Sequence, residues 1–208
     1  MADIIDEINE ELKQERMQAL FAKYGKYVLA LAAAVITIVF AIQAYNVYQA
    51  GVREKAANAY FDALGEDRIG DALAASSGDF NDGYQMLSQF VSAAELVADD
   101  EAAAAVEIYI QLSDDNSLSQ IYRDFATLLA FTHAQDDQVS AALEAKLTAL
   151  ADNAGPMRGL AIEMQADRAL KEGDIDAAKA YLEQINQLQQ APNGLRQRAA
   201  SLLFALEQ

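Results

Sequence analysis

The sequence predicts an all-α chain, with one long apolar helix near the start and a short solenoid of helical hairpins after it. Three observations carry this. Strong helix formers dominate and there are only two prolines, so helix is favoured almost everywhere. β-branched residues become sparse after residue 52, which removes the usual material of strands. Residues 27–52 form a run of 26 without a formal charge, enough to cross a bilayer as helix.

The totals exclude several classes of function. A net charge of −17 argues against nucleic acid, because phosphate binding needs a basic surface. It also disfavours anionic lipid headgroups as a landing surface. With no cysteine there is no disulfide, thiol nucleophile or thiolate metal site, and the redox compartment stays open.

The apolar run is flanked like a membrane anchor. At about 1.5 Å per residue, residues 24–48 span roughly 37 Å, enough for a ~30 Å hydrocarbon core and its interfaces. Tyr24 and Tyr27 stand at one end, Tyr45 and Tyr48 at the other, where amphipathic rings meet headgroups. A buried core helix rarely carries such flanks. A cleaved signal peptide would need a charged region of 26 residues and a good small-x-small site, and Ile42-x-Ala44 and Tyr48-x-Ala50 are poor ones. Lys13, Arg16, Lys23 and Lys26 precede the span, against Arg53, Lys55 and the more distant Arg68 after it. Only Lys and Arg count for this rule, so the N-terminus is expected in the cytoplasm and the larger part across the membrane. Upstream, Ile4, Ile8 and Leu12, then Met17, Leu20, Phe21 and Tyr24, form an apolar stripe. It fits an arm that docks a partner, lies on the inner leaflet, or simply extends the helix.

Beyond the span, residues 53–64 read as a continuing helix with Ala56, Ala59, Tyr60 and Ala63 on one face. A polar stretch over 65–83 follows, with a short helix around 69–75. The clearest unit is residues 159–192, "GLAIEMQADRALKEGDIDAAKAYLEQINQLQQAP". Gly173 suits a left-handed helix stop and Asp174 the next N-cap. Ala166, Ala169 and Ala178 sit where two helices cross closely, and Leu182 and Ile185 fill the groove. The pattern resembles a tetratricopeptide repeat, with Ile162 where a large aromatic is usual. A shift of 74 residues aligns Asp174 with Asp100 and Ala178 with Ala104, and makes Ile108 the bulky neighbour. A degenerate unit lies between, as helices over 121–134 and 139–150 closed at Gly155-Pro156. A last helix over 195–206 puts Leu195, Ala199, Leu202, Leu203 and Leu206 on one face, as a terminal cap should.

The expected organisation is an amphipathic arm over 1–26, a transmembrane helix over 27–48, a membrane-proximal helix and linker over 49–83, and a repeat domain with its capping helix over 84–208.

Five segments carry a further likeness: "DEINEELKQERMQALFAKYGKYVLA", "GYQMLSQFVSAAELVADDEAAAAVEIY", "YRDFATLLA", "GPMRGLAIEMQADRALKEGDIDAAKAYLEQI" and "PNGLRQRAASLL". Over nearly its whole length the chain resembles the YfgM-like ancillary subunits of the SecYEG translocon, in their alphaproteobacterial variety. Met157 departs from the tryptophan expected before Arg158. The resemblance implies a single-pass protein of the bacterial inner membrane with a periplasmic repeat domain. It implies partners in a SecYEG-like membrane complex and among periplasmic folding factors and chaperones.

Little chemistry is nominated. The lone His133 has no second His or Cys with which to bind metal. In "DFNDG" over 79–83 the glycine is one place early for a calcium loop, and Phe90 occupies the terminal carboxylate position; "DDNS" from Asp114 lacks the glycine. Asp99-Asp100 and Asp136-Asp137 fall at turns, where Asp caps helices. No cofactor, metal or small-molecule substrate is expected, and the chain is not expected to be an enzyme. The expected role is a non-catalytic, membrane-anchored interaction scaffold accessory to the Sec translocon. The other reading is a structural or assembly subunit of another inner-membrane complex, respiratory or envelope. The part beyond the span carries 26 acidic against 11 basic residues, which favours basic or amphipathic partner segments.

Overall fold

The computed structural model describes residues 2–135 and 138–207, and within the first helix the side chains from Met17 on, except those of residues 19 and 21. The Ile4, Ile8, Leu12 and Phe21 side chains of the arm's stripe, and the pair Asp136-Asp137, therefore lie outside the described residues. Among the described residues the chain is helical with no strand. It forms two compact units, Met1–Lys55 and Ala56–Gln208.

The first unit is helix alone. Helix α1, Ala2–Leu64, runs without a break through the expected arm, span and membrane-proximal helix. No Pro or Gly-Pro signal interrupts it, and Gly51 stands in open space.

The second unit begins with the last turns of α1. Ala56, Tyr60 and Ala63 are buried there, together with Leu73 of α2, Ile69–Ser76. Tyr60 lies 5.1 Å from the Tyr84 ring and 6.0 Å from Phe80, so an aromatic cluster closes this end. A short 3₁₀ turn, Ser77–Asp79, leads on to α3, Asp82–Ala98. Three hairpins and a cap follow: α3 with α4, Ala102–Asp114; α5, Gln120–His133, with α6, Ala141–Asp152; α7, Arg158–Glu172, with α8, Ile175–Gln187; and α9, Asn193–Leu206. Each helix packs mainly on its neighbours in sequence, as expected of a solenoid.

Two cores run through the stack. One gathers Met86, Ala93, Ala105, Tyr109, Leu112, Ala126, Ala130 and Leu143; the other gathers Leu128, Leu147, Ile162, Ala166, Leu182, Ile185, Leu195 and Ala199. Phe131 packs against both, which joins the hairpins into one body. Leu202, placed on the inner face of the cap by its spacing, is instead 40% exposed, while Leu195 and Ala199 are buried.

The turn between α7 and α8 is built as its sequence predicts. Gly173 adopts φ 79° and the Asp174 N–H donates to Ala169 O at 2.8 Å, the six-to-one bond of a left-handed helix stop. The Asp174 side chain then accepts from Ala177 N at 2.9 Å. The α3–α4 turn repeats this geometry with one difference. Asp100, not Gly, takes the left-handed position at φ 63°, and Glu101 N donates to Leu96 O at 2.7 Å. Asp tolerates that conformation better than most residues.

This corrects the repeat register. Asp100 corresponds to Gly173 rather than to Asp174, so the shift is 73 residues and not 74. Ala104 is exposed and Ala105 is the buried crossing residue; Ile108 is half-buried, and Tyr109 holds the position of Leu182. Ala93 and Ala166 are the matching residues of the first helices, both buried.

Two consequences follow for stability. Leu182→Ala should cost about 2–5 kcal/mol by leaving a cavity in a sealed core. Ala105→Leu should cost about 1–3 kcal/mol by overpacking, whereas Ala104→Leu should be close to neutral. Urea titration of the three variants reads both; equal losses at 104 and 105 would refute the corrected register.

Candidate functional site

Two surfaces of the chain are set up to meet something outside it. The first is the apolar length of α1. Residues 22–64 contain a stretch with mean hydropathy 2.3, none of it covered by protein. Leu29 is 76% exposed and Phe40 72%. Tyr24, Tyr27, Tyr45 and Tyr48 are all exposed, at 49–68%. The ammonium groups of Lys23 and Lys26 lie 5.4 and 5.2 Å from the Tyr24 and Tyr27 ring centres, so cation and ring are paired at that end. Lys13 and Arg16 lie on α1, but their side chains are outside the described residues. At the other end Tyr45 Oη accepts from Gln49 Nε2 at 2.9 Å. The polar interruption, Thr37, donates its hydroxyl to Ala33 O at 2.9 Å, which leaves no unmet donor in an apolar stretch.

The second surface is the hairpin stack. Of the predicted packing residues, Ala166, Ala178 and Leu182 are buried and Gly173 forms the helix stop. Gly159 proves as important: a Cβ there would approach Leu195 Cδ2 to 2.6 Å, so its lack of a side chain lets α9 close on α7. Charged residues fasten the helices from outside. Arg168 bridges Glu144 of α6 and Glu172 of its own helix, with its guanidinium 5.9 Å from the Phe131 ring centre of α5. The hydrogen bond to Glu172, then the nearby carboxylates, hold its pKa above the ordinary value. Arg198 of α9 makes a two-pronged pair with Glu163 of α7, at 2.7 and 2.8 Å. Sequence reasoning missed Arg168 and Arg198, because pairs between helices leave no spacing signal within one.

Groups that resembled sites of chemistry resolve into structure. His133 stacks on Tyr109 with ring centres 6.1 Å apart, and burial raises the Tyr109 hydroxyl pKa. In 79–83, Asn81 caps α3 by accepting from Tyr84 N at 3.1 Å. At the α4–α5 corner, Asp115 accepts from Ser117 N at 2.8 Å. Hydrogen bonds from the Ser117 hydroxyl and N–H hold that carboxyl below its ordinary pKa. Among the described residues, no group of three His, Asp or Glu is arranged to hold a metal.

The profile of the tetratricopeptide repeat-like domain covers residues 18–202. The chain belongs to that family. None of the curated proteins and none of the solved structures matches it. Tetratricopeptide repeat-like domains generally mediate protein–protein interaction, and their fold is typically non-catalytic.

The Asp115 shift sets a pH dependence. A carboxyl whose folded pKa is depressed adds stability above its unfolded value and loses it as pH falls through the folded one. The melting-temperature advantage of the wild type over Asp115→Asn should therefore be constant from neutral to mildly acidic pH and shrink below the usual carboxylate range. A pH-independent difference would contradict that role.

Proposed function

We propose that the chain is a non-catalytic, membrane-anchored interaction scaffold: an accessory subunit of a SecYEG-like translocon and its periplasmic folding network at the bacterial inner membrane. In this reading α1 crosses the bilayer near residues 27–48. Residues 1–26 form a cytoplasmic arm, 49–83 stand close to the membrane, and the repeats over 84–208 face the periplasm.

The observation that carries the reading is the pairing of an uncovered apolar helix with a repeat stack of an interaction family. Four tyrosines at the two ends of the apolar run support the anchor. The excess of Lys and Arg before the run supports the orientation. Resemblance of five segments to ancillary translocon subunits supports the partner. Tethering restricts the repeats to a thin layer over the membrane, which raises local concentration until individually weak contacts suffice.

Affinity purification of the full chain in mild detergent tests the partner. Translocon subunits should co-purify. A single stoichiometric complex of another kind would replace this role with that of a structural or assembly subunit. Deleting residues 1–22 should abolish co-purification if the arm is the docking element and spare it if the repeats are. A periplasm-dependent reporter fused after Gln208 should be active, and activity of a cytoplasm-dependent reporter at the same place would reverse the topology.

A further inference from the structure

The chain is strongly acidic, so its cations should find carboxylates easily, and most in the second unit do. Arg68, Lys146, Arg168, Lys171 and Arg198 each pair with Asp or Glu. Arg123, Arg158, Lys179 and Arg196 do not: among the described residues none of these makes an ion pair, although Asp115 lies near enough to Arg123 to feel its charge. Arg123 and Arg158 stand apart because they share a cavity. Both line one cavity of about 530 Å³, between the start of α5, the end of α6 and the start of α7, and Lys146 lines it too. Asp124 is the one carboxylate on its wall, and it accepts from the neutral amide of Gln120 at 2.6 Å.

The donors around this cavity are only partly used. Arg123 gives one N–H to Asn116 Oδ1 at 2.6 Å and another to Gln120 Oε1, both neutral acceptors. Its Nε is sealed from solvent and has no acceptor among the described residues, which is unusual for a buried polar atom. Arg158 spends Nε on Ala151 O at 2.9 Å, and its two terminal nitrogens have no acceptor among the described residues. Lys146 reaches Ser113 Oγ at 2.7 Å and Asp114 Oδ1 at 2.5 Å, so one of its three donors is spare. Beside these donors the wall is apolar, from Ile121, Leu150, Pro156 and Met157.

We propose that this cavity receives a partner's acidic segment, with an Asp or Glu carboxylate between Arg123 and Arg158 and a neighbouring apolar side chain against Leu150 and Met157. The proposal rests on the scaffold reading and names the chemistry of its partner. Planar guanidinium forks match a carboxylate with two parallel bonds, and such charge-assisted bonds are the strong ones. A segment alternating acidic and apolar residues supplies both halves at once; a bare anion supplies only one. The −17 net charge does not forbid this, because charges beyond a Debye length of about 8 Å are screened at physiological salt. It does raise selectivity, since an acidic segment is held only where this local excess of cations lies.

The test is fluorescence anisotropy of the full chain in detergent micelles, with a labelled Leu-Glu-Leu-Glu-Leu peptide carrying an amidated end. Saturable binding is expected, with no binding of the peptide bearing Gln for Glu. Arg158→Gln and Arg123→Gln should each weaken it about tenfold or more, and Lys171→Gln, whose cation is paired elsewhere, should leave it unchanged. Ala149→Glu puts a carboxylate at the cavity wall on an exposed helical position that keeps its helix, so it should block binding without unfolding the chain, as circular dichroism would verify. The proposal is overturned if the Glu and Gln peptides bind alike. It is overturned equally if folded Ala149→Glu binds as the wild type does. Displacement of the peptide by an equal concentration of inorganic phosphate would also overturn it, making this a general anion site. Absence of peptide binding with translocon co-purification intact removes this inference alone. Peptide binding without any co-purifying partner removes the scaffold reading and leaves the cavity.

Discussion

From residue 28 to residue 42 the large apolar side chains of α1 have no protein to cover them. Val28, Leu29, Leu31, Val35, Ile36, Ile38, Val39, Phe40 and Ile42 are all more than half exposed. Leaving one such side chain in water forgoes about 1.5–3 kcal/mol. For the set the sum is comparable with the ~5–15 kcal/mol that stabilises an ordinary domain. Such a helix calls for an apolar covering, and the second unit has cores of its own from Ala56 onward. The proposed anchor descends from this constraint.

The hairpin stack answers a different constraint, the need to bring backbones close with small residues and to turn sharply. Ala93 and Ala105 do for one hairpin what Ala166 and Ala178 do for another. The crossing alanines let Tyr109 and Leu182 reach the bottom of their grooves. Phe131 and Arg168 then connect successive hairpins, one through apolar contact with both cores and the other by bridging α6 and α7 over the Phe131 ring. A stack held in this way presents long helical faces while its interior stays sealed, which is what a platform for other proteins requires.

Much of this was legible in the sequence because it is local. The charge-free run, the tyrosines at its ends, the Gly173-Asp174 turn and the alanine spacing of α7 and α8 each declare themselves within a few residues. The α3–α4 register was not, because an Asp in the left-handed position reads like an Asp at an N-cap. Only backbone angles separate Asp100 from the role of Asp174. Arg123 and Arg158, neither in an ion pair, were hidden for another reason: 35 positions apart in the numbering, they share a cavity wall only once α5 and the start of α7 are placed. The absence of an ion pair is a property of three dimensions.

Extraction of native membranes with alkaline sodium carbonate probes the anchoring constraint most directly. A helix integrated into the hydrocarbon core keeps the whole chain in the membrane pellet, and that is the result expected here. Release of intact chain into the supernatant, with residues 27–52 still attached, would show that the apolar run is covered by something other than lipid and would contradict the account at its base.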